Sequence, residues 1–399
     1  MDKRNLFLWS LYDFANSIVY ISFLLYFSQW LVIDGGFPDF WYNALFVAAA
    51  LLLLASAPLL ASRVDKGGGG KFFLTLATFG TLVGYSCATV FAHLGIAWII
   101  PAAVAFLAGQ YFYQLSFVFY TPMLVQIATP AYRARASGIG QLGNALGQIS
   151  GVLVALPFAA SRIGPLAPSL ALFFVLALPM LFFFREQQTP KPEWHQKTAS
   201  IKRLFVFLST SAAAPLLFAY FFFNDAIITL SNNYALVLEK IFAAPDFQKS
   251  MLLLAILVMS AIGGVLAGWV AEKIGAFKTL VGLLVCWVIM LPILAMAPTF
   301  GIFAALTVLV GLLIGSSYST ARVYMTELLE PQEMNYGFSF FTLFERFASI
   351  VGPLAWGTTI AMLGGGEYSY RVAIGVMGVL VAIGLFVFLF FKKERVKTS

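Results

Sequence analysis

Ala61-Ser62-Arg63-Val64-Asp65-Lys66-Gly67-Gly68-Gly69-Gly70-Lys71 returns later in the chain as Gly268-Trp269-Val270-Ala271-Glu272-Lys273-Ile274-Gly275-Ala276-Phe277-Lys278, with acid, Lys, Gly and Lys at one constant offset. Each stretch is a short charged break between long apolar runs, which is what a turn between two membrane-crossing helices looks like. Further matches keep the same order. Pro130 and Gly151 correspond to Pro331 and Gly352, and Tyr12-Asp13 near the start of the first half finds a counterpart in Asn224-Asp225. Ordered matches of this kind point to an internal duplication.

Outward from these turns the chain is almost continuously apolar. It has 399 residues, 61% hydrophobic, 16% aromatic and 10% charged. Soluble domains average about 25% charged residues, so the solvent for most of this surface must be lipid. Twelve spans are expected, each long enough for a hydrocarbon core of about 30 Å. The first six are Leu6–Ile33, Trp41–Ser62, Phe72–Ala92, Ile96–Ala128 with a kink at Pro122, Ala136–Ala160 and Leu166–Phe184. The second six are Pro215–Leu236, Gln248–Ala271, Phe277–Ala297, Phe300–Ala321, Tyr336–Leu363 and Tyr370–Phe391. The expected organisation is therefore an N-terminal six-helix bundle (1–184), a cytoplasmic linker with an interfacial helix (185–214), and a C-terminal six-helix bundle (215–399). Pro190 and Pro192 mark the linker, and the apolar Leu204–Ala214 beside Lys202 and Arg203 is the interfacial helix.

Charge sets the orientation. Eighteen of the 24 Lys and Arg residues fall in segments that lie inside when both termini are cytoplasmic, as the positive-inside rule requires. The net charge of +7 thus reports topology in a cell inner membrane rather than a nucleic-acid partner. The first run is too long for a cleaved signal peptide and contains Asp13. Cys87 and Cys286 sit in apolar runs, and His93 and His195 stand apart, so neither a disulfide framework nor a metal site is indicated. Gly67–Gly70 lacks the strand and the Gly-Lys-Ser/Thr continuation of a phosphate-binding loop, which argues against ATP-driven transport. No cofactor is expected, and the chain is read as a monomer.

Polar residues inside the spans fall on helical stripes. Asp13, Asn16, Ser17 and Tyr20 share one face of the first span; Asp225, Thr229 and Asn232 share one face of the seventh. Gln110, Gln114 and Thr121 stripe the fourth, and Gln141, Asn144 and Gln148 the fifth. Ser316 and Thr320 lie on the tenth, and Thr342, Glu345, Arg346 and Ser349 on the eleventh. Such faces must turn from lipid, because an unpaired polar group in hydrocarbon costs several kcal/mol. The candidate substrate or coupling residues are accordingly Asp13, Asn16, Tyr20, Gln110, Gln114, Asp225, Thr229, Asn232, Glu345 and Arg346. Asp13 and Asp225 either titrate or hold a substrate amino group, or form fixed pairs satisfied by Asn16 and Asn224. Asp65, Lys66, Arg135, Glu272 and Lys273 form a candidate cytoplasmic gate, with Asp65 facing Arg135, while Gly68 and Gly275 permit the turn. Gly143, Gly147 and Gly151, and Gly263, Gly264 and Gly268, read as close helix-packing surfaces. Tyr111, Tyr113, Phe117 and Tyr120 could stack on a ligand, although aromatic residues in spans are usually packing or interface anchors.

The two charged turns resemble the major facilitator superfamily signature, Gly-x-x-x-Asp-Arg/Lys-x-Gly-x-x-Arg/Lys. The first copy has Ala61 for the leading Gly, and the second keeps Gly268 but has Glu272 for Asp. Within that superfamily, Leu11-Tyr12-Asp13-Phe14-Ala15-Asn16-Ser17 resembles the opening of the vacuole effluxer family, which includes fungal vacuolar amino-acid permeases. Tyr220-Phe221-Phe222-Phe223-Asn224-Asp225, Tyr336-Gly337-Phe338 and Gly352-Pro353-Leu354 add to the likeness. The resemblance implies an all-α major facilitator fold of twelve transmembrane helices. It also implies a pathway lined by the first, fourth, seventh and tenth spans, and alternating-access secondary transport of a small polar metabolite such as an amino acid, with a coupling proton or cation. The chain is not expected to be an enzyme. A cation-coupled sugar or drug carrier is the alternative within transport, and a membrane enzyme or lipid-handling protein is the alternative outside it.

Overall fold

A computed structural model describes residues 2–67, 69–129, 132–186, 201–329 and 334–391. Among them every regular element is helical and no strand occurs. Contacts divide the chain into two compact units, Met1–Thr198 and Ala199–Ser399.

The first unit contains α1 (Lys3–Ser22), α2 (Asp39–Gly67), α3 (Gly70–Leu94), α4 (Ile99–Tyr120), α5 (Leu124–Ile127), α6 (Arg133–Ala155) and α7 (Leu166–Phe183). Asp2 caps α1, its carboxylate accepting the amides of Arg4 and Asn5 at 3.1 Å. The first span continues beyond Ser22 through wider π-helical turns at Phe23–Phe27 and Trp30–Asp34. Pro122 breaks the fourth span as expected, with a 3-10 turn at Thr121–Met123 between α4 and α5.

The second unit contains α8 (Ile201–Thr210), α9 (Ala214–Asn232), α10 (Tyr234–Phe242), α11 (Asp246–Ile274), α12 (Ala276–Ala295), α13 (Phe300–Leu328), α14 (Met334–Phe347), α15 (Val351–Leu363) and α16 (Glu367–Phe390). With 10 residues, α8 is too short to cross a bilayer, and it starts three residues ahead of the expected Leu204–Ala214.

Eleven helical stretches of the described residues are long and apolar enough to span a membrane. The expected eleventh span, Tyr336–Leu363, is not one helix. It is interrupted at Ala348–Ile350, four residues before Pro353, which has no N–H to give the carbonyl of Ser349 and whose ring crowds it. The seventh span is likewise divided, at Asn233.

The same helix pairings recur in both units. α1 packs on α6 and α7, α3 on α4 and α7, and α2 on α4. Correspondingly, α9 packs on α14–α15 and α16, α12 on α13 and α16, and α11 on α13. The repeat seen in the turn sequences is thus a repeat of packing. Both turns use a left-handed glycine. Gly275 has φ +89°, while in the first copy Gly69 has φ +86°; the expected Gly68 lies outside the described residues.

Close packing follows the glycines of α6. A Cβ at Gly140 would collide with Trp9, one at Gly143 with Ser10, one at Gly147 with Phe14 and one at Gly151 with Ile21, so α1 lies nearly backbone to backbone on α6. On α11 the expectation holds for Gly263, which abuts Leu312, but Gly264 makes only ordinary contact and Gly268 faces open space. Gly268 is therefore not a packing residue; it lies beyond the close approach of α11 and α13. Outward faces are apolar, with Phe72, Leu76, Val83 and Val90 of α3 all more than half exposed, while Thr78, Thr81 and Tyr85 point in. That arrangement inverts a soluble protein and suits lipid as solvent.

Candidate functional site

In the first unit the polar face of α1 turns inward. Asp13 is buried, and its Oδ1 accepts a 3.0 Å hydrogen bond from Asn144 Nδ2 of α6. Gln148 Nε2 donates in turn to Asn144 Oδ1 at 2.7 Å, so a chain of amides leads away from the carboxylate. The expected partner Asn16 is not what holds Asp13: the α6 glycines bring Asn144 within reach instead. Asn16 and Ser17 are buried, and neither side chain has a hydrogen-bond partner among the described residues. Tyr20 stacks on Tyr113, with ring centroids 5.0 Å apart and planes 7° apart. Gln110 accepts the Tyr85 hydroxyl at 2.8 Å, and Gln114 is buried beside it on α4.

The remaining aromatics of α4 pack. Tyr120 stacks on Trp9 at 4.7 Å and exchanges hydrogen bonds with its backbone and indole, and Tyr111 donates to Ser56. Tyr12 shares a 2.7 Å bond with Thr78 of α3. In the first unit Asp13 is thus joined to Asn144 and Gln148 of α6, Tyr20 meets α4 through Tyr113, and Gln110 is bound to Tyr85 of α3.

In the second unit Asp225, Thr229 and Asn232 are completely or almost completely buried on α9. Asp225 Oδ2 accepts the backbone amide of Gly352 at 2.8 Å, at the first turn of α15. Asn224, expected to satisfy Asp225, instead donates to the carbonyl of Glu345 at 3.3 Å and accepts from Tyr318 at 2.8 Å. The break in the eleventh span explains this change, because it frees backbone groups that the two side chains then serve. Glu345 is half-buried, and the side chain of Arg346 lies outside the described residues. On α13, Ser316 is spent on the carbonyl of Gly263 at 2.9 Å, whereas Thr320 Oγ1 is buried without a partner among the described residues.

Of the candidate gate, Glu272 and Lys273 are exposed on the last turn of α11 and enter no ion pair among the described residues; the side chains of Asp65, Lys66 and Arg135 lie outside them. Sequence reasoning missed a buried cation. Lys249 is fully buried and bonds both Asp246, at 2.8 Å, and Glu239. The signal was the short Glu239–Lys249 interval, with Pro245 turning the chain so that α10 and α11 share one end.

Comparison with known proteins places these features. Superposition on solved structures covers nearly the whole chain. A crystal structure of the nucleoside transporter NupG aligns with TM-score 0.76 at 13% identity, over 98% of this chain and 100% of that one. The chain has the major facilitator fold. A D-xylose–proton symporter aligns with TM-score 0.71 at 16% identity, over 97% of this chain and 96% of that one. In sequence, residues 216–399 match the model of the Major Facilitator Superfamily. The uncharacterized MFS-type transporter YxiO of Bacillus subtilis (strain 168) is 27% identical over 97% of this chain and 94% of its own length. An uncharacterized protein of Aquifex aeolicus (strain VF5) is 25% identical over 87% and 86%. Together these matches support a membrane transporter of the major facilitator type.

Proposed function

We propose that the protein is a secondary transporter that moves a small polar metabolite, an amino acid or a close analogue, by alternating access, and that it belongs with the vacuole effluxer family its motifs resemble. The observation that carries the reading is the pair of buried carboxylates, Asp13 and Asp225, at corresponding places in two repeated apolar units. Each is accompanied on its own helix by buried polar atoms that have no hydrogen bond among the described residues: Asn16 and Ser17 in one unit, Thr229 in the other. An unpartnered amide or hydroxyl costs roughly 1–3 kcal/mol when buried, so a fold that keeps several has a use for them. A zwitterionic solute offers what they lack: an ammonium for a carboxylate, and a carboxylate for amide and hydroxyl donors. The coupling species is a proton or another small cation, the site is in a cell inner membrane, and both termini face the cytoplasm.

A second substrate class is favoured by the solved relatives in the fold, one described as a nucleoside transporter and one as a xylose symporter. The stacked Tyr20–Tyr113 pair would suit a flat or ring-shaped solute. A thermal-shift screen of purified protein against amino acids, nucleosides and pentoses decides between them. Stabilisation by nucleosides or sugars alone overturns the amino-acid reading, and stabilisation by no small polar solute overturns both.

A further inference from the structure

An interruption in a membrane helix releases backbone groups that must be satisfied within the bundle. Those released between α14 and α15 can be followed one at a time. The amide of Ala348 still reaches the Phe344 carbonyl at 3.0 Å, and that of Ser349 turns to Phe347 at 2.8 Å. The Ser349 hydroxyl donates to the Ala348 carbonyl at 2.6 Å, and the Glu345 carbonyl takes the amide of Asn224. Beyond the gap, the amide of Gly352 donates to Asp225 Oδ2, that of Val351 points to the same carboxylate, and Leu354 rejoins the helical ladder through Ile350. Two consecutive residues of α9 thus bridge the break, one on each broken end.

The two ends are held differently. Asn224 makes a neutral bond, oriented by Tyr318. Asp225 brings a negative charge to the N-terminus of α15, where unpaired amides and the helix dipole favour it. Its other oxygen, Oδ1, is buried without a hydrogen bond among the described residues, and so is Thr229 Oγ1 one turn along. Both lie against Gly352, where a Cβ would stand 2.7 Å from Asp225 Oδ1. Hard metal cations take about six or more oxygen ligands. Two spare oxygens pressed against a glycine do not make such a cage, but one of them can take a proton.

We propose that the break in the eleventh span is a proton-released joint: ionised Asp225 latches α15 to α9, and a proton on Oδ1 loosens the latch so that α15 moves about Ala348–Ile350. One O–H bond forms on Oδ1, its proton taken from water, and the charge that held the Gly352 amide is lost. No ion pair among the described residues involves Asp225. The titratable groups that neighbouring helices bring towards it are Tyr318 of α13, bound to Asn224, and Glu345 of α14. Arg322 of α13 lies about one turn beyond Tyr318, and α15 has no titratable residue. On α10 the titratable residues are Tyr234, Glu239 and Lys240, and on α16 Glu367, Tyr368, Tyr370 and Arg371; Tyr234 donates to the Lys249 carbonyl, Glu239 pairs with Lys249, and Arg371 pairs with Glu367. The side chains of Lys202, Arg203 and Arg346 lie outside the described residues. The joint's use in coupling rests on the transporter reading, but its test needs no transport.

The test is amide hydrogen exchange of the full-length protein in nanodiscs, without substrate, between pH 8 and pH 5, corrected for the intrinsic chemical rate. The amides of Val351, Gly352 and 354–356 are expected to exchange about tenfold or more faster at the acid end, the difference between a charge-assisted and a neutral hydrogen bond. Asp225→Asn is expected to exchange fast at both ends, while Glu345→Gln keeps the wild-type response. Protection independent of pH in the wild type overturns the joint whether or not the variants fold. A response that survives in Asp225→Asn, or that vanishes in Glu345→Gln, overturns the assignment to Asp225. Loosening by sodium at constant pH overturns the assignment to a proton.

Discussion

Two glycines that look alike in the sequence should answer the same substitution with opposite signs. At Gly352 an alanine Cβ would lie 2.7 Å from Asp225 Oδ1, 2.9 Å from the Asp225 carbonyl, and closer still to Thr229 Oγ1. Neither the α9 carbonyl nor a β-branched threonine can step aside, so α15 must move. Overpacking of this kind costs about 1–3 kcal/mol, of which helix propensity returns up to about 1 kcal/mol. The net loss of roughly 1–2 kcal/mol corresponds to a fall of about 2–8 °C in melting temperature for a unit of this size. At Gly268, inside α11, a Cβ meets nothing within 4 Å. Gly268→Ala should therefore gain about 0.5–1 kcal/mol by propensity alone and raise melting by roughly 1–4 °C. Both are read by thermal denaturation of the purified protein in one detergent. Equal shifts, or a Gly352→Ala variant as stable as wild type, would refute the close approach of α15 to α9.

Lys249→Met strips the cation from Glu239 and Asp246, and breaking a buried pair costs about 3–5 kcal/mol; a melting temperature within 2 °C of wild type would contradict the burial of that ion cluster. Asn144→Ala leaves Asp13 without its amide donor, and a loss of about 1–3 kcal/mol in stability, or a matching weakening of substrate affinity, is expected from binding and melting curves. Asp65→Asn is expected to shift the population towards the inward-open state and lower flux at unchanged expression, read by cysteine accessibility and uptake together; unchanged accessibility and flux would reduce the turn to a topology marker. Lys273→Cys and Glu367→Cys should label from opposite sides of the membrane; labelling from the same side would overturn the topology.

Most of the fold was legible because apolar length is a strong signal that needs no tertiary information. The duplication was legible for the same reason: the turns at Asp65 and Glu272 are local. What escaped depends on where helices meet. Pro353 was visible, yet a proline in a membrane helix kinks it in one place and breaks it in another, according to whether neighbours can serve the freed groups. Here Asn224 and Asp225 serve them, so the same break explains why neither residue pairs as the sequence suggested. Asp13 likewise took its donor from α6, brought close by Gly143 and Gly147, rather than from Asn16 on its own helix. Gly268 shows the converse: a four-residue spacing marks a helix face but does not say how far along that face the neighbour stays close.

Counterflow in proteoliposomes tests the central claim most directly. Vesicles holding purified protein and a high internal concentration of one unlabelled solute are given the same solute, labelled, outside, without ATP. The account predicts transient, saturable accumulation of a small polar metabolite, with amino acids the expected class. It also predicts that Asn16→Ala weakens half-saturation by roughly 2–13-fold, for the loss of one hydrogen bond of about 0.5–1.5 kcal/mol. Absence of counterflow for amino acids, nucleosides and sugars alike, with protein that remains folded in the same vesicles, would contradict it.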